Sequence, residues 1–341
     1  MQIKGELAVK KLLLVYGVLI MIFMVYSYNY FSKDPYMNAW DRMDGGLRGE
    51  IDEKYVMVTF QIGNEYWKNI LKGFEDAAQA LNVSVEYRGS TRYDLYEMST
   101  VLEQVIARKP AGIAISAMDA EGLNPAIHKA VEAGIPVVLF DSNAPESDAY
   151  VFLGTNNYEA GRTAGHEMGK LLGGKGEVGI ITLPNQNNHQ ERVRGFQAVM
   201  KEYYPNIAIV SIKDGKGDKL VSKQAAEDMM RDYPELKAIF TTEATGGVGV
   251  GSAVQNYRHI KIISFDTDLG TLDLVKDGTI SATLAQGTWS MGYWSLQYLF
   301  HLHHRLTQQE MAEVAANPLP PYVDTGITVV TKENVEHFYA K

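Results

Sequence analysis

Two aspartates stand at the ends of matching apolar runs in the two halves of the chain. Residues 135–141 are Ile-Pro-Val-Val-Leu-Phe-Asp, and residues 260–266 are Ile-Lys-Ile-Ile-Ser-Phe-Asp. Each run follows a helical pattern, so each predicts a buried strand that ends on a carboxylate. Because ligands bind beyond the carboxyl ends of parallel strands, Asp141 and Asp266 are candidates to accept hydrogen bonds from the hydroxyl groups of one ligand. Capping of a following helix or turn is the alternative role for either aspartate.

Other polar and aromatic side chains follow predicted strands in the same way. They are Asn64, Tyr66, Trp67, Glu243 and Gln286. Arg192, near the start of a predicted helix after the loop 184–188, is a further candidate ligand-binding residue. Aromatic rings pack well on the C–H faces of sugars, whose hydroxyl groups need partners such as amides, carboxylates and guanidinium groups. The alternatives are that Tyr66 and Trp67 pack in the core and that Arg192 forms a surface salt bridge.

Paired carboxylates also raise the alternative of a sugar-processing enzyme, because glycosidases use two of them as acid and base. However, the sequence has no Gly-x-Ser-x-Gly elbow, no Walker A loop and no His-Glu-x-x-His motif. The glycine-rich stretch 246–251 does not match the dinucleotide fingerprint. His301, His303 and His304 crowd a predicted helix end without a carboxylate at matching spacing, which favours a solvated helix end over a metal site. We therefore predict a binding protein with no catalytic residue, metal or cofactor.

An internal repeat relates the two halves of the chain. The Gly73-Phe74 pair precedes Asp141, and the Gly195-Phe196 pair precedes Asp266. Both separations are roughly 70 residues, which is about the length of two βαβ units. Two copies of one structural unit would place the two aspartates at equivalent positions.

Predicted strands and helices alternate over the globular part of the chain, which favours parallel sheets with helices on both faces. We expect an α/β protein with two similar doubly wound lobes joined by a three-crossing hinge, and 341 residues are enough for both. The second half includes a predicted helix over Gly249–Tyr257. The expected lobes comprise residues 54–154 plus 287–321 and residues 155–286 plus 322–341, with crossings near Gly154, Gln286 and Val323.

The composition limits the partners and the chemistry. A formal net charge of −9 argues against nucleic acid as a partner, because a nucleic-acid-binding face needs clustered basic residues. The chain has no cysteine, which excludes disulfides, thiol catalysis and a lipid-modified N-terminal cysteine.

The N-terminus predicts a membrane anchor. Residues 12–31 are mostly apolar and long enough to span a bilayer. They end in bulky side chains rather than the small residues of a cleavage site, which favours an uncleaved anchor over a signal peptide. Lysines precede the run, so residues 1–11 are expected in the cytoplasm and the globular part outside. Residues 32–53 are mixed polar and glycine-containing, as is typical of a tether.

Residues 54–341 resemble the periplasmic sugar-binding proteins of the ribose-binding type, which have the type I periplasmic binding fold. The resemblance is carried by these segments: 64–67 with Gly73-Phe74, 134–141, Asn157 with Gly161, Glu191-Arg192 with Gly195-Phe196, Phe265-Asp266, and 282–286. It implies sugar contacts at Asn64, Tyr66, Trp67, Asp141, Arg192, Asp266 and Gln286. The chain departs from the family at Ser142, where Arg is common, and at Glu243-Ala244, where Asn-Asp is usual. The pocket is therefore expected to differ from that of a ribose-binding protein. Lactose-repressor-type proteins share this fold, but their DNA-binding helices have no counterpart here.

This resemblance implies a membrane-anchored, xylose- or ribose-type receptor outside the cell that closes its two lobes on a pentose or hexose. Closure would signal to a sensor histidine kinase, because a permanent helical anchor suits a receptor that stays beside one partner. Delivery of sugar to the permease of an ABC transporter is the alternative. Trp67 and Trp289 are expected near the cleft.

Overall fold

A computed structural model describes residues 16–17, 19–27, 47–255, 257, 259–306 and 319–339. The chain forms two units, residues 1–48 and residues 49–341. In the first unit, residues 16–17 and 19–27 are helical and mostly exposed. Among the residues described, none of the helices combines the length and the apolar character that a bilayer crossing requires. The predicted anchor over residues 12–31 extends beyond these helical residues on both sides, and residues 1–11 and most of the predicted tether also lie outside the described part.

The second unit contains two six-stranded sheets with corresponding strand orders. The strands of the first sheet are β1 (Lys54–Thr59), β2 (Ser84–Gly89), β3 (Gly112–Ile115), β4 (Val137–Phe140), β5 (Phe152–Gly154) and β11 (Tyr322–Asp324). Those of the second are β6 (Lys175–Thr182), β7 (Asn206–Asp214), β8 (Leu236–Thr241), β9 (Lys261–Phe265), β10 (Ala282–Gln286) and β12 (Ile327–Val330). The orders are β11-β5-β4-β3-β1-β2 and β12-β10-β9-β8-β6-β7, so β4 and β9 hold equivalent places. The predicted α/β fold with two lobes is confirmed.

Helices cover these sheets. The first lobe has α1 (Trp67–Leu81), α2 (Leu95–Ala107), α3 (Ala120–Glu132) and α9 (Thr288–His303), and the second has α4 (Asn157–Leu171), α5 (Asn187–Tyr203), α6 (Lys219–Asp232), α7 (Ala244–Ala253) and α8 (Leu269–Asp277). A short 3₁₀ helix, Val335–His337, follows β12. Several helices begin where an Asp or Asn side chain accepts a hydrogen bond from a first-turn amide, which satisfies a donor that has no partner inside the helix. These caps are Asp94, Asp119, Asn156, Asp218 and Asp268.

The chain passes between the sheets after Gly154, after Gln286 and after Asp324. The predicted lobe boundary after residue 321 is wrong, because Tyr322–Asp324 pairs with β5 in the first sheet. β12 is also an exception to the predicted parallel arrangement, since it runs antiparallel to β10. Only Thr325 and Gly326 separate β11 from β12. The chain therefore leaves one sheet at its carboxyl edge and enters the other at the facing edge, which reverses its direction.

Glycines explain why the Gly-Phe pairs repeat. A Cβ atom on Gly73 would lie 2.0 Å from the Trp289 carbonyl oxygen, and one on Gly195 would lie 2.0 Å from the Tyr158 carbonyl oxygen. Gly73 therefore lets α1 cross α9 at close range, and Gly195 does the same for α5 and α4. The phenylalanine after each glycine is fully buried. The repeat is thus a repeated packing device.

The glycine-rich helix begins earlier than its sequence predicts. The predicted helix covered Gly249–Tyr257, whereas α7 covers Ala244–Ala253. Glycine weakens a helix by about 1 kcal/mol per residue relative to alanine, so local preference disfavours this stretch. Its glycines instead permit contact: a Cβ on Gly247 would lie 2.1 Å from Ser264 Oγ. Tertiary packing on β9 and the cap at Glu243 therefore set the start of the helix.

Candidate functional site

A cavity of about 300 Å³ lies between the carboxyl edges of the two sheets. All of the predicted ligand-binding residues line it: Asn64, Tyr66, Trp67, Asp141, Arg192, Glu243, Asp266 and Gln286. The first three and Asp141 come from the first lobe, and the others come from the second lobe or the hinge strand β10. The residues predicted from the carboxyl ends of strands therefore meet around one cavity.

The two aspartates have equivalent backbone geometry. Asp141 follows β4 with φ 60°, and Asp266 follows β9 with φ 66°, so both adopt the left-handed conformation that non-glycine residues seldom take. The Asp141 amide donates to the Leu153 carbonyl at 3.1 Å, and the Asp266 amide donates to the Leu284 carbonyl at 2.9 Å. This turn directs both carboxylates into the cavity. The capping alternative fails for Asp266, because Asp268 caps α8.

Tyr66 and Gln286 connect the two carboxylates. The Tyr66 hydroxyl donates to Asp141 Oδ1 at 2.6 Å, and Ser116 Oγ donates to Asp141 Oδ2 at 3.1 Å. Gln286 Nε2 donates to Asp266 Oδ1 at 2.8 Å and to the Tyr66 hydroxyl oxygen at 3.2 Å. A continuous chain of hydrogen bonds therefore runs from the first lobe through the hinge to the second lobe.

Arg192 is a buried residue of the site and not a surface salt-bridge residue. Its side chain is 2% exposed and its guanidinium carbon lies 4.0 Å from the centre of the Phe265 ring. The guanidinium donates to Asn157 Oδ1 at 2.9 Å, to the Thr242 carbonyl at 2.7 Å and to Gln286 Oε1 at 2.9 Å. These three bonds fix the orientation of the planar group. The guanidinium group also places a positive charge near the carboxylates of Asp141 and Asp266.

Burial controls the ionisation of the carboxylates. It raises the pKa of Asp141, and it raises the pKa of Asp266 to about 7, although the positive charge of Arg192 opposes both shifts. Hydroxyl groups that donate to these oxygens would favour the ionised form. A polyhydroxylated ligand therefore suits this pair of carboxylates.

Glu243 has a divided role. One carboxylate oxygen caps α7 by accepting from the Thr245 amide at 2.8 Å and from the Thr245 hydroxyl. The other oxygen, Oε1, is buried without a hydrogen-bond partner among the described residues. Burial raises the pKa of this carboxyl. Glu243 thus holds the helix with one oxygen and has an unsatisfied acceptor in the cavity wall.

The aromatic residues predicted near the cleft differ in their roles. Trp67 is 3% exposed and its indole Nε1 donates to the Phe60 carbonyl at 2.8 Å, so the core-packing alternative holds for most of its ring. Trp289 does not line the cavity, and its predicted place near the cleft is wrong. Its indole Nε1 donates to Asp76 Oδ2 at 2.9 Å and its ring stacks on Tyr293. It lies in the first turn of α9, close to the hinge, but the helix turns the ring toward α1.

Several residues that line the cavity were not predicted as site residues. His189 is 4% exposed, its Nδ1 lies 3.0 Å from Thr242 Oγ1, and burial lowers its pKa well below the ordinary value. It precedes Arg192 by three residues, so the helical period would have indicated it. Tyr93 and Lys216 also line the cavity. They follow β2 and β7, so they also lie at the carboxyl edges of the two sheets.

Tyr93 and Gln186 bring side chains of the two lobes to the wall of the same cavity. The Tyr93 hydroxyl of the first lobe donates to the Met118 carbonyl at 2.7 Å. The side chain of Gln186, from the second lobe, lines the same cavity. The buried Gln186 precedes α5, the helix that carries Arg192. The cavity therefore has walls from both lobes.

Comparisons with known proteins place these features in one family. Residues 55–303 match the family model described as periplasmic binding protein domain. The chain is 64% identical to AraP, an arabinose binding protein from Geobacillus stearothermophilus whose structure is known. The match has a TM-score of 0.77 and covers 85% of this chain and 100% of the AraP chain. A sugar ABC transporter sugar-binding protein from Bacillus halodurans is 61% identical with a TM-score of 0.78, covering 84% and 100%. A XylFII–LytSN complex is 28% identical with a TM-score of 0.73, covering 82% and 98%.

Proposed function

The chain belongs to the periplasmic binding protein family, with the type I fold of its sugar-binding members, and we propose that it is a receptor that closes on one monosaccharide. The observation that carries the proposal is the convergence of Asp141 and Asp266, one from each lobe, on a single cavity. A ligand that contacts both lobes stabilises the closed form relative to the open one. Ligand binding and lobe closure are then one equilibrium.

The size and the lining of the cavity support a small sugar. Its volume of about 300 Å³ is at the lower end of the range for ligand pockets. Its walls combine carboxylates, side-chain amides and a guanidinium group with the aromatic rings of Tyr66, Trp67 and Tyr93. We propose a pentose, with arabinose as the first candidate, because the AraP structure is 64% identical to this chain. Xylose, ribose and hexoses are the other candidates.

Isothermal titration calorimetry with a panel of pentoses and hexoses tests this proposal. We expect saturable binding with one sugar per chain and the tightest binding for a pentose. The same samples test the enzyme alternative, because sugar recovered chemically unchanged after long incubation shows that there is no turnover. The absence of binding to every sugar in the panel would refute the proposal.

The partner of the closed form has two candidates. We propose a sensor histidine kinase, which the resemblance to the XylFII–LytSN complex supports. The permease of an ABC transporter is the second candidate, supported by the 61% identity to a protein described as part of a sugar ABC transporter. Deletion of the gene separates them: loss of sugar-induced transcription with intact uptake supports sensing. Loss of uptake with intact induction supports delivery.

We further propose that the N-terminal segment anchors the protein, with the globular part at the outer face of the cytoplasmic membrane. The mostly apolar residues 12–31 support this proposal. The full chain should remain with the membrane fraction after an alkaline wash, and a variant without residues 1–31 should not. A mature protein whose N-terminus begins after residue 31 would contradict the anchor.

A further inference from the structure

A second cluster of potential ligands lies at the far end of the first lobe. Glu53, His303 and His304 each present one ligand atom, and these atoms all lie within 4.8 Å of one another. His303 ends α9 and His304 follows it, whereas Glu53 immediately precedes β1. The carboxylate that the sequence around the histidines lacks is therefore supplied by the fold, from a residue 251 positions away from His304.

The carboxylate of Glu53 is held in place before any ion binds. Its Oε1 accepts from the Glu50 amide at 2.8 Å, and its Oε2 accepts from the Tyr55 hydroxyl at 3.3 Å. His304 Nε2 lies 2.8 Å from the same Oε2 atom. Hydrogen bonds to the outer side of a ligand orient it and are a regular feature of metal sites.

Aromatic neighbours position the two imidazoles. The His303 ring meets the Tyr55 ring edge-on with centroids 6.0 Å apart, and the His304 ring packs on Phe300 at 4.2 Å. His303 is exposed, and a cleft of about 500 Å³ is lined by His303 and Glu53. An ion from solution can therefore reach the cluster without opening the core.

We propose that Glu53, His303 and His304 form a binding site for a divalent transition-metal ion, with zinc as the best match. Two imidazoles and one carboxylate are ligands that Zn²⁺ prefers, and water completes the tetrahedron. Zinc bonds of about 2.0–2.2 Å place tetrahedral ligands ~3.3 Å apart. The distance of 2.8 Å between His304 and Glu53 must therefore widen by about half an ångström, which side-chain rotation provides.

The ion would join the segment before β1 to the end of α9. These two segments are distant in sequence and belong to the same lobe. An ion that binds the folded chain and not the unfolded one raises the melting temperature in proportion to the logarithm of its concentration. The cluster lies outside the sugar cavity, because none of its members lines that cavity.

The test uses untagged protein stripped of metal and titrated with zinc chloride by calorimetry and thermal denaturation. We expect one zinc ion per chain and a rise of several degrees in melting temperature. His303→Ala and His304→Ala should each weaken zinc binding at least tenfold. His301→Ala, on the same helix end and outside the cluster, is the matched control and should bind zinc like the wild type.

Circular dichroism without zinc establishes that each variant is folded, and the exposed position of His303 makes His303→Ala the decisive variant. Glu53→Gln removes the carboxylate and should also weaken zinc binding. Absence of saturable binding at millimolar zinc would overturn the proposal. So would equal loss of binding in His301→Ala and His303→Ala, or zinc binding that persists in a variant lacking all three proposed ligands.

Discussion

Replacement of Arg192 by alanine should destabilise the protein far more than replacement of a neighbouring arginine. The Arg192 side chain is 2% exposed and donates to Asn157, Thr242 and Gln286. Its loss leaves these acceptors unsatisfied and removes the positive charge beside the buried Asp266. Removal of one partner from a buried charge network costs about 3–5 kcal/mol.

Arg194 is the matched control because it lies on the same helix, α5, and differs mainly in burial. Its side chain is 65% exposed and pairs with Glu191 at the surface. Exposed ion pairs contribute about 0–1 kcal/mol, so Arg194→Ala should change the free energy of unfolding by no more than that. The difference between the two variants therefore isolates the effect of the buried network.

Urea unfolding followed by circular dichroism, without sugar, measures both free energies. The loss in Arg192→Ala should be larger at pH 8 than at pH 6, because the pKa of Asp266 is about 7 and protonation at pH 6 removes part of the uncompensated charge. Sugar binding should also weaken in Arg192→Ala and remain in Arg194→Ala. An Arg192→Ala variant as stable as Arg194→Ala at both pH values would refute this account of the site.

Three further predictions follow from the same geometry. Asp141→Ala and Asp266→Ala should each weaken sugar binding by about 1–3 kcal/mol, measured by calorimetry, because sugar hydroxyls lose their acceptors; unchanged affinity in a folded variant would remove that residue from the site. Burial raises the pKa of Asp266 from 3.8 to about 7, so the folded state binds more protons than the unfolded state in that window and stability falls as pH rises through it. In Asp266→Asn, the free energy of unfolding measured with urea should fall less between pH 4 and pH 7 than it does in the wild type. The same pH dependence in both proteins would contradict the raised pKa of Asp266. Gly195→Ala should lower the melting temperature strongly, because its Cβ would lie 2.0 Å from the Tyr158 carbonyl, whereas Gly63→Ala, with nothing within 4 Å, should not; equal melting temperatures would contradict the role of the helix crossing.

Features encoded by local pattern were predictable from the sequence. The alternation of strands and helices gave both sheets, and a carboxylate after β4 and another after β9 indicated the edge where the site lies. Asp141, Asp266 and Gln286 were found in this way because strand direction alone places them at one edge. Strand direction also indicates Tyr93 and Lys216, which follow β2 and β7 and were not among the predicted site residues.

Features that depend on contacts between distant segments could not be predicted. β12 runs antiparallel to β10 because only two residues separate it from β11 in the facing sheet. This arrangement depends on how the two sheets face each other, which no local sequence pattern indicates. The early start of α7 depends on packing against β9 that outweighs the low helix preference of its glycines. The cluster of Glu53 with His303 and His304 joins residues that no local motif connects.

The crystal structure of the protein bound to arabinose tests the central claim most directly. The account predicts one sugar in the closed cavity, with hydroxyl oxygens about 3 Å from carboxylate oxygens of both Asp141 and Asp266. A sugar that contacts only one lobe, or that binds outside this cavity, would contradict it.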